Sequence, residues 1–241
     1  MIKLINLTKD FKTTLAVNRL NLEVAAGEIY GFIGPNGAGK TTTIRMMGGI
    51  IEPTDGKILI GGIDMSRDPV GAKKIIGFVP DRPFLYEKLT GMEFLKFIAD
   101  LYRVDLRVFS RRAPELLEQF ALRQWKDEIV EAYSHGMKQR LIIAAALLHD
   151  PRVMVIDEPM VGLDPEAVRM VRDILKGLAQ QNVTVFVSTH TLSLAEDLCD
   201  RIGVIHKGTL LAQGTVAELN LAAKTGEARL EEVFLTLVRE L

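Results

Sequence analysis

Ile29-Tyr30-Gly31-Phe32-Ile33-Gly34-Pro35-Asn36-Gly37-Ala38-Gly39-Lys40-Thr41-Thr42 is the stretch that decides how this chain is read. Its first five residues are almost wholly apolar, as in a strand covered on both faces of a parallel sheet. Residues 34–41 satisfy G-x-x-x-x-G-K-[ST], and residues 42–47 continue as a helical stretch. Strand, glycine loop and helix form the context this motif requires. Glycines at 34, 37 and 39 let the backbone turn tightly, so that its N–H groups converge on phosphate oxygens at a helix N-terminus. Lys40 supplies a point charge for β- and γ-phosphates, and the Thr41 hydroxyl is placed to ligate Mg²⁺. Asn36, Gly37, Ala38, Gly39, Lys40, Thr41 and Thr42 are therefore the expected nucleotide-binding residues, and a nucleoside triphosphate with Mg²⁺ the expected ligand.

A phosphate loop alone fits a kinase, a GTPase or a motor. Val153-Met154-Val155-Ile156-Asp157-Glu158 narrows the choice. Four apolar residues make a buried strand, and two carboxylates stand at its C-terminal end, where α/β sheets bind ligands. Asp157 is expected to hold Mg²⁺ through water. Glu158 points to the other side of the strand and is expected to polarise a water for in-line attack. In Gly162-Leu163-Asp164-Pro165 a loop ends and a helix begins, with Asp164 as N-cap and Pro165 at the first helical position. His190 follows another apolar strand in Ser188-Thr189-His190. It either aims a ring N–H at a phosphate oxygen or serves as a structural donor.

Outward from these motifs, short apolar runs alternate with helical stretches, the pattern of an α/β protein with a mostly parallel sheet. Candidate strands cover residues 2–7, 20–24, 29–33, 57–60, 75–79, 153–156, 184–188, 202–206 and 209–212. The earliest of them carry more polar residues and fit an antiparallel flap. Between about 89 and 150 apolar residues recur at helical spacing, as at Phe94, Leu95, Ile98 and Leu101, then Leu116, Leu117 and Phe120. The expected organisation is an ATP-binding core of residues 1–88 and 151–215, a helical subdomain at 89–150, and a helical tail at 216–241.

The 241 residues fit one large domain or two small ones. With 48% hydrophobic and 25% charged residues the chain has the globular balance, which excludes wholesale disorder. Thirty Lys+Arg against 31 Asp+Glu leave no basic field for nucleic acid. A single cysteine allows no intrachain disulfide and points to the cytosol. A spanning helix needs about 20 mostly apolar residues. The longest apolar run, residues 141–148, stops at His149-Asp150, and the alternating start has no signal-peptide core. A chain that neither spans a membrane nor is exported is expected.

Together GPNGAGKTT, YSHGMKQR, VMVIDEP, GLDP and STH, in this order from about residue 10 to 215, resemble the ATP-binding subunit of ABC transporters. The resemblance implies a P-loop NTPase (RecA-like) sheet with an antiparallel amino-terminal flap and an inserted helical subdomain. It implies ATP hydrolysis, a transmembrane permease partner, and a second ATP-binding subunit in a homo- or heterodimer. It places the chain in the cytoplasm, peripheral on the inner face of the membrane through that partner. Phe11 stands where the family stacks an aromatic on adenine, with Val17 flanking; the alternative for Phe11 is a core aromatic of the flap. Tyr133-Ser134-His135-Gly136-Met137-Lys138-Gln139-Arg140 occupies the signature position, usually LSGGQ. There Ser134 and the backbone of Gly136 donate to the γ-phosphate held by the opposite subunit, two copies sandwiching two ATPs head to tail.

Three departures stand out. His135 and Met137 replace a glycine and the glutamine of the signature, and His135 is expected to add a donor at low pH. Asp81 stands where the family has glutamine, and is either a Mg²⁺-sphere ligand or a solvated loop acid. Met160-Val161 replaces a frequent threonine-serine. The aromatic-rich stretch of Arg82, Pro83, Phe84, Leu85, Tyr86, Leu89, Phe94 and Phe97 either forms the groove for the transmembrane subunit or packs the helical insert. The tail Leu230-Glu231-Glu232-Val233-Phe234-Leu235 resembles exporter endings and favours export. The alternatives are a soluble ABC ATPase acting in regulation or assembly, and a P-loop kinase or GTPase. The guanine-reading Asn-Lys-x-Asp is absent from the chain, and a kinase does not account for YSHGMKQR.

Overall fold

The structure, a computed structural model, describes residues 1–82, 84–223 and 228–239. Strand β3 (Ile29–Ile33), which feeds the glycine loop, is buried along its whole length. Its flanks are set by the other apolar runs. β8 (Thr184–Thr189) pairs with it in parallel on one side and β9 (Arg201–His206) on the other, while β7 (Val153–Asp157) and β6 (Ile76–Val79) extend the sheet beyond β8. An antiparallel edge strand, β10 (Thr209–Gly214), completes the order β10-β9-β3-β8-β7-β6. Such central strands need no alternation because helices cover both faces. Phe186 of β8 lies between Tyr30 and Phe32 of β3, its ring centroid 5.7 and 5.4 Å from theirs. Burying a ring of this size stabilises the fold by roughly 1.5–3 kcal/mol.

The register brings three strand ends to one edge. Ile33 pairs with Thr189, and Asp157 with Ser188. The glycine loop, the paired carboxylates and His190 therefore leave adjacent parallel strands side by side, each about 4.8 Å from the next.

The early strands form the expected antiparallel flap, in the order β2-β1-β4-β5, from β1 (Ile2–Asp10), β2 (Leu15–Val24), β4 (Asp55–Ile60) and the short β5 (Ile63–Asp64). β1 and β2 run longer than their apolar alternation predicts, and β5 carries too few residues to show a period. Register breaks in the β1–β2 ladder, with Asn6 and Arg19 at φ 47° and 46°, interrupt the two-residue period on which the prediction rested. Helix α1 (Lys40–Met47) lies between flap and sheet, where Ile44, Met46 and Met47 are buried in one cluster with Leu4, Val17 and Phe186. Helix α2 (Pro69–Lys74), capped by Asp68, leads into β6.

Residues 91–147 contain α3 (Gly91–Leu101), α4 (Leu106–Gln119) and α5 (His135–Leu147), with short 3-10 turns at Arg123–Trp125 and Val130–Ala132. The apolar run at 141–148 forms most of α5, and it is apolar all round because α3 and α4 cover one side and β6 the other. One hydrophobic cluster joins Phe94, Leu117 and Leu141 of these helices to Ile156, Val185 and Val187 of the sheet. The helical stretch therefore shares the sheet's core. α6 (Pro165–Gln180) begins as the spacing predicts: Asp164 Oδ1 accepts from the Ala167 N–H at 2.8 Å, and Pro165 takes the first helical position. Helices α7 (Leu192–Leu198), α8 (Val216–Ala223) and α9 (Leu230–Arg239) bury Ala195, Leu219, Leu230 and Val233 against Ile33, Ile202 and Val204. Residues 224–227 and 240–241 of the expected tail, and Pro83 of the aromatic stretch, lie outside the described residues.

Candidate nucleotide site

A cavity of about 520 Å³ opens where the strand ends meet. Asn36, Gly37, Ala38, Gly39, Lys40, Thr41 and Thr42 line it, together with Asp81, Glu158 and His190. The loop's shape depends on glycine. Gly39 has φ 108°, and a Cβ there would fall 2.4 Å from the Ala16 carbonyl oxygen. Gly37, at φ 78°, faces open space. Because Gly39 caps α1, no side chain competes for the first N–H groups of that helix, which have no intrahelical acceptor. The helix therefore presents free donors and the positive end of its dipole to the cavity, an arrangement made for an anion.

Lys40 is nearly buried, and its ammonium donates to the carbonyls of Gly34 at 2.7 Å and Pro35 at 3.2 Å. Burial holds this amine below the ordinary lysine range, while the carboxylates of Glu158 and Asp157 pull in the opposite direction. Anionic oxygens entering the cavity would favour the charged amine further.

Asp157 is 2% exposed and accepts from the Ser188 hydroxyl, also buried, on the neighbouring strand. Thr41, Asp81 and Asp157 line a second, smaller cavity of about 250 Å³ beside the first. A hydroxyl and two carboxylates are hard oxygen donors. They fit Mg²⁺, which takes one or two carboxylates and keeps the rest of its shell for water and phosphate. Asp81 also pairs with Arg82 at 3.9 Å.

Glu158 leaves β7 at φ 52°, and its N–H donates to the Ser188 carbonyl at 3.0 Å. Both of its carboxylate oxygens are engaged. Oε1 lies 2.7 Å from His190 Nδ1, and Oε2 accepts from the Thr189 hydroxyl at 3.2 Å. Consecutive residues of one strand end thus orient a carboxylate belonging to the next strand. His190 is half exposed and able to act on a phosphate as well. A carboxylate so placed, facing the glycine loop across the cavity, can take a proton from water.

Not every expected residue reaches this cavity. Phe11 lies in the β1–β2 turn, 49% exposed, with the Lys9 ammonium 5.1 Å over its ring, and is not among the lining residues. Its reading as a buried core aromatic is excluded by that exposure. Val17 is fully buried beneath the loop, and Leu15 and Ala16 form the wall at that level. Ser134 caps α5, its hydroxyl accepting from the Met137 N–H at 3.2 Å, and neither Ser134 nor Gly136 lines the cavity. The His135 ring rests against Gly162 of the same chain. Sequence reasoning missed Lys207, which lines the cavity from the β9–β10 turn, held there because Gly208 N–H donates to the Ala38 carbonyl at 2.8 Å. Nothing local marks that lysine, since the contact joins segments far apart in the chain.

A groove of about 900 Å³ adjoins the site, lined by Arg82, Phe84, Leu85, Tyr86, Leu89 and Phe97 of the aromatic stretch and by His135 of α5. Phe84, Tyr86 and Phe97 stack edge to face at 5.3 and 4.9 Å, with Phe84 80% exposed. Phe94 instead is buried in the helical core. Asp81 lines the groove and both cavities. Among the described residues no helix is long and apolar enough to cross a membrane.

Residues 17–161 match the family described as ABC transporter. The chain is 41% identical over 214 residues to the bacitracin transport ATP-binding protein BcrA of Bacillus licheniformis, covering 88% of this chain and 69% of that one. It is 34% identical to the linearmycin resistance ATP-binding protein LnrL of Bacillus subtilis (strain 168), covering 100% of this chain and 79% of that one. Among solved structures it superposes on an ATP-binding subunit of an ABC transporter with TM-score 0.93 at 32% identity, covering 99% of both chains. On a dimeric ATP-binding cassette in a post-hydrolysis state with ADP and Pi the TM-score is 0.82 at 29% identity, covering 90% of this chain and 99% of that one. With this fold, this phosphate loop and these relatives, the chain belongs to the ABC transporter family as an ATP-binding subunit with ATPase activity.

Proposed function

We propose that this subunit is a motor that closes on ATP as a dimer and drives a separate transmembrane subunit, in the direction of export. The observation that carries the proposal is the separation of the two halves of the expected cage. Asn36–Thr42, Glu158 and His190 surround one cavity, whereas the serine-capped start of α5 stands outside it. A second copy, turned head to tail, supplies Ser134 and Gly136 to the γ-phosphate, and the arrangement repeats at the symmetry-related site. The structural likeness to a dimeric cassette holding ADP and Pi supports this geometry.

Each residue then has a task. Asn36 to Thr42 cradle the phosphates, with Lys40 answering the β/γ charge and Thr41, Asp157 and Asp81 holding Mg²⁺. The metal, when bound, neutralises charge on the transferring phosphate. Phe11, exposed in the β1–β2 turn, stacks on adenine beside the wall of Leu15 and Ala16, with Val17 buried beneath the loop. Glu158 removes a proton from the attacking water, and His190 orients that carboxylate and reaches the γ-phosphate. The groove of Phe84, Tyr86 and Phe97 receives a helix of the membrane partner, and Asp81 joins groove to site. Residues 89–150, although they share the sheet's core, form the helical subdomain that carries α5 and its signature, beside the ATP-binding core of residues 1–88 and 151–215. Residues 216–241 form the tail. Export is supported by relatives named for bacitracin transport and linearmycin resistance. The chain acts at the inner face of the membrane, held there by its partner.

The test is Glu158→Gln with saturating Mg-ATP, followed by light scattering behind a sizing column. Loss of the base leaves binding intact, so a stable dimer holding unhydrolysed ATP is expected. A variant that remains monomeric at saturation refutes the proposal.

A further inference from the structure

Glu158 begins a loop that its own backbone does not favour. At φ 52° a residue with a Cβ sits in the left-handed region, and such a conformation persists only where the surroundings over-determine it. Within residues 158–163 the backbone bonds are few and long: Val161 N–H to Glu158 O at 3.4 Å and Leu163 N–H to Met160 O at 3.3 Å. Glu158 itself is tied to β8 through Ser188, Thr189 and His190, and the residues after it rest on the first turns of α5. Gln139 Nε2 donates to the Pro159 carbonyl at 3.4 Å in a buried position. Gly136 lies so close that a Cβ on it would be 3.5 Å from the Gly162 carbonyl and from the Leu163 side chain. Beside Gly162 stands the His135 ring. A Cβ on Gly162 would fall 2.1 Å from His135 Cδ2 and 2.6 Å from Nε2, so the imidazole fills the space a side chain there would need. A glycine at 135, as in the usual signature, could make no such contact.

We infer that His135 is a positioning residue for ATP hydrolysis: its ring props Gly162 and thereby holds the loop that carries Glu158. The inference rests on the role proposed above for Glu158. It replaces the expectation that His135 donates to phosphate, because the ring is turned onto a loop of its own chain. The same contact ties the start of α5, which serves the mate's nucleotide, to the loop that serves this chain's own.

The test is steady-state hydrolysis and thermal unfolding of His135→Leu, His135→Ala, Gly162→Ala and the His135→Ala/Gly162→Ala double variant. Leucine fills the space without a donor, so His135→Leu keeps kcat within about twofold. His135→Ala loses about three- to tenfold in kcat with KM for ATP unchanged, the pattern of a misplaced reacting group. Gly162→Ala loses more than about tenfold because methyl and ring cannot share the space and because alanine is strained at φ 77°, and removing the ring recovers at least about threefold of that loss. The inference is overturned if leucine and alanine are equally impaired, if the two alanine substitutions act independently, or if kcat follows the loss of folded protein. If Gly162→Ala does not fold, the contrast between leucine and alanine decides alone. Glu158→Gln, run beside them, separates the two proposals. If it still hydrolyses ATP, the role of Glu158 fails; if it is inactive and the contrast is absent, only the role of His135 fails.

Discussion

Glu158 allows a backbone test that is independent of its chemistry. At φ 52° an L-residue costs roughly 1–2 kcal/mol relative to the right-handed form, whereas glycine adopts this region freely but loses about 0.5–1 kcal/mol more conformational entropy on folding. Glu158→Gly and Glu158→Ala both remove the acceptors of the Thr189 hydroxyl and His190 Nδ1, and both remove the base. Those losses cancel in the comparison, leaving the backbone term. Glycine is therefore expected to be the more stable variant by about 0.5–1 kcal/mol, the reverse of the usual order, in which alanine wins. With a urea dependence of about 2–3 kcal/mol per molar, the glycine midpoint lies about 0.3 M higher at equal slope. Urea unfolding followed by far-ultraviolet circular dichroism reads the difference, and neither variant hydrolyses ATP at an appreciable rate. An alanine midpoint equal to or above that of glycine would refute the claim that strain is held at this residue.

Two other perturbations address the core and the metal. His149 donates from Nε2 to the Ile76 carbonyl at 3.0 Å and stacks on Tyr102 at 3.7 Å, while its Nδ1 is buried without a partner; burial pushes its pKa down to about 4. The unfolded chain binds a proton near pH 6.5 that the fold resists, so His149 supports stability fully above pH 6.5, and up to about 3 kcal/mol is lost as pH falls toward 4; His149→Gln should lose less between pH 7 and 4.5 in denaturant titrations, and parallel curves would dispose of the idea. Asp81→Ala removes one of three oxygen donors around the small cavity, so half-maximal ATPase activity should require several-fold more Mg²⁺, whereas an unaltered titration would assign Asp81 to its pairing with Arg82 alone.

The parts of this protein legible in its sequence are those written in local spacing. The glycine loop declares itself because phosphate binding needs residues of fixed type at fixed offsets. The buried strands β3, β7 and β8 do so because double-sided burial demands unbroken apolar runs. Asp164 and Pro165 mark the start of α6 through capping chemistry that spans four residues. Where bulges break the period, as at Asn6 and Arg19, the extent of β1 and β2 could not be read. A two-residue strand such as β5 shows no period at all.

Residue types and their order along the chain determined what chemistry is present: a triphosphate cradle, a carboxylate at a strand end, a histidine after another. The tertiary structure alone decided who faces whom. Parallel register set Asp157 beside Ser188 and Ile33 beside Thr189, which let Thr189 and His190 grip Glu158. Packing of the β9–β10 turn on the glycine loop brought Lys207 to the cavity, and the approach of α5 to residues 158–163 turned His135 onto Gly162. The physical reason is range. Propensity, capping and loop geometry act over a few residues, whereas contacts between segments from tens to well over a hundred residues apart depend on how complete elements pack, and no local pattern encodes that.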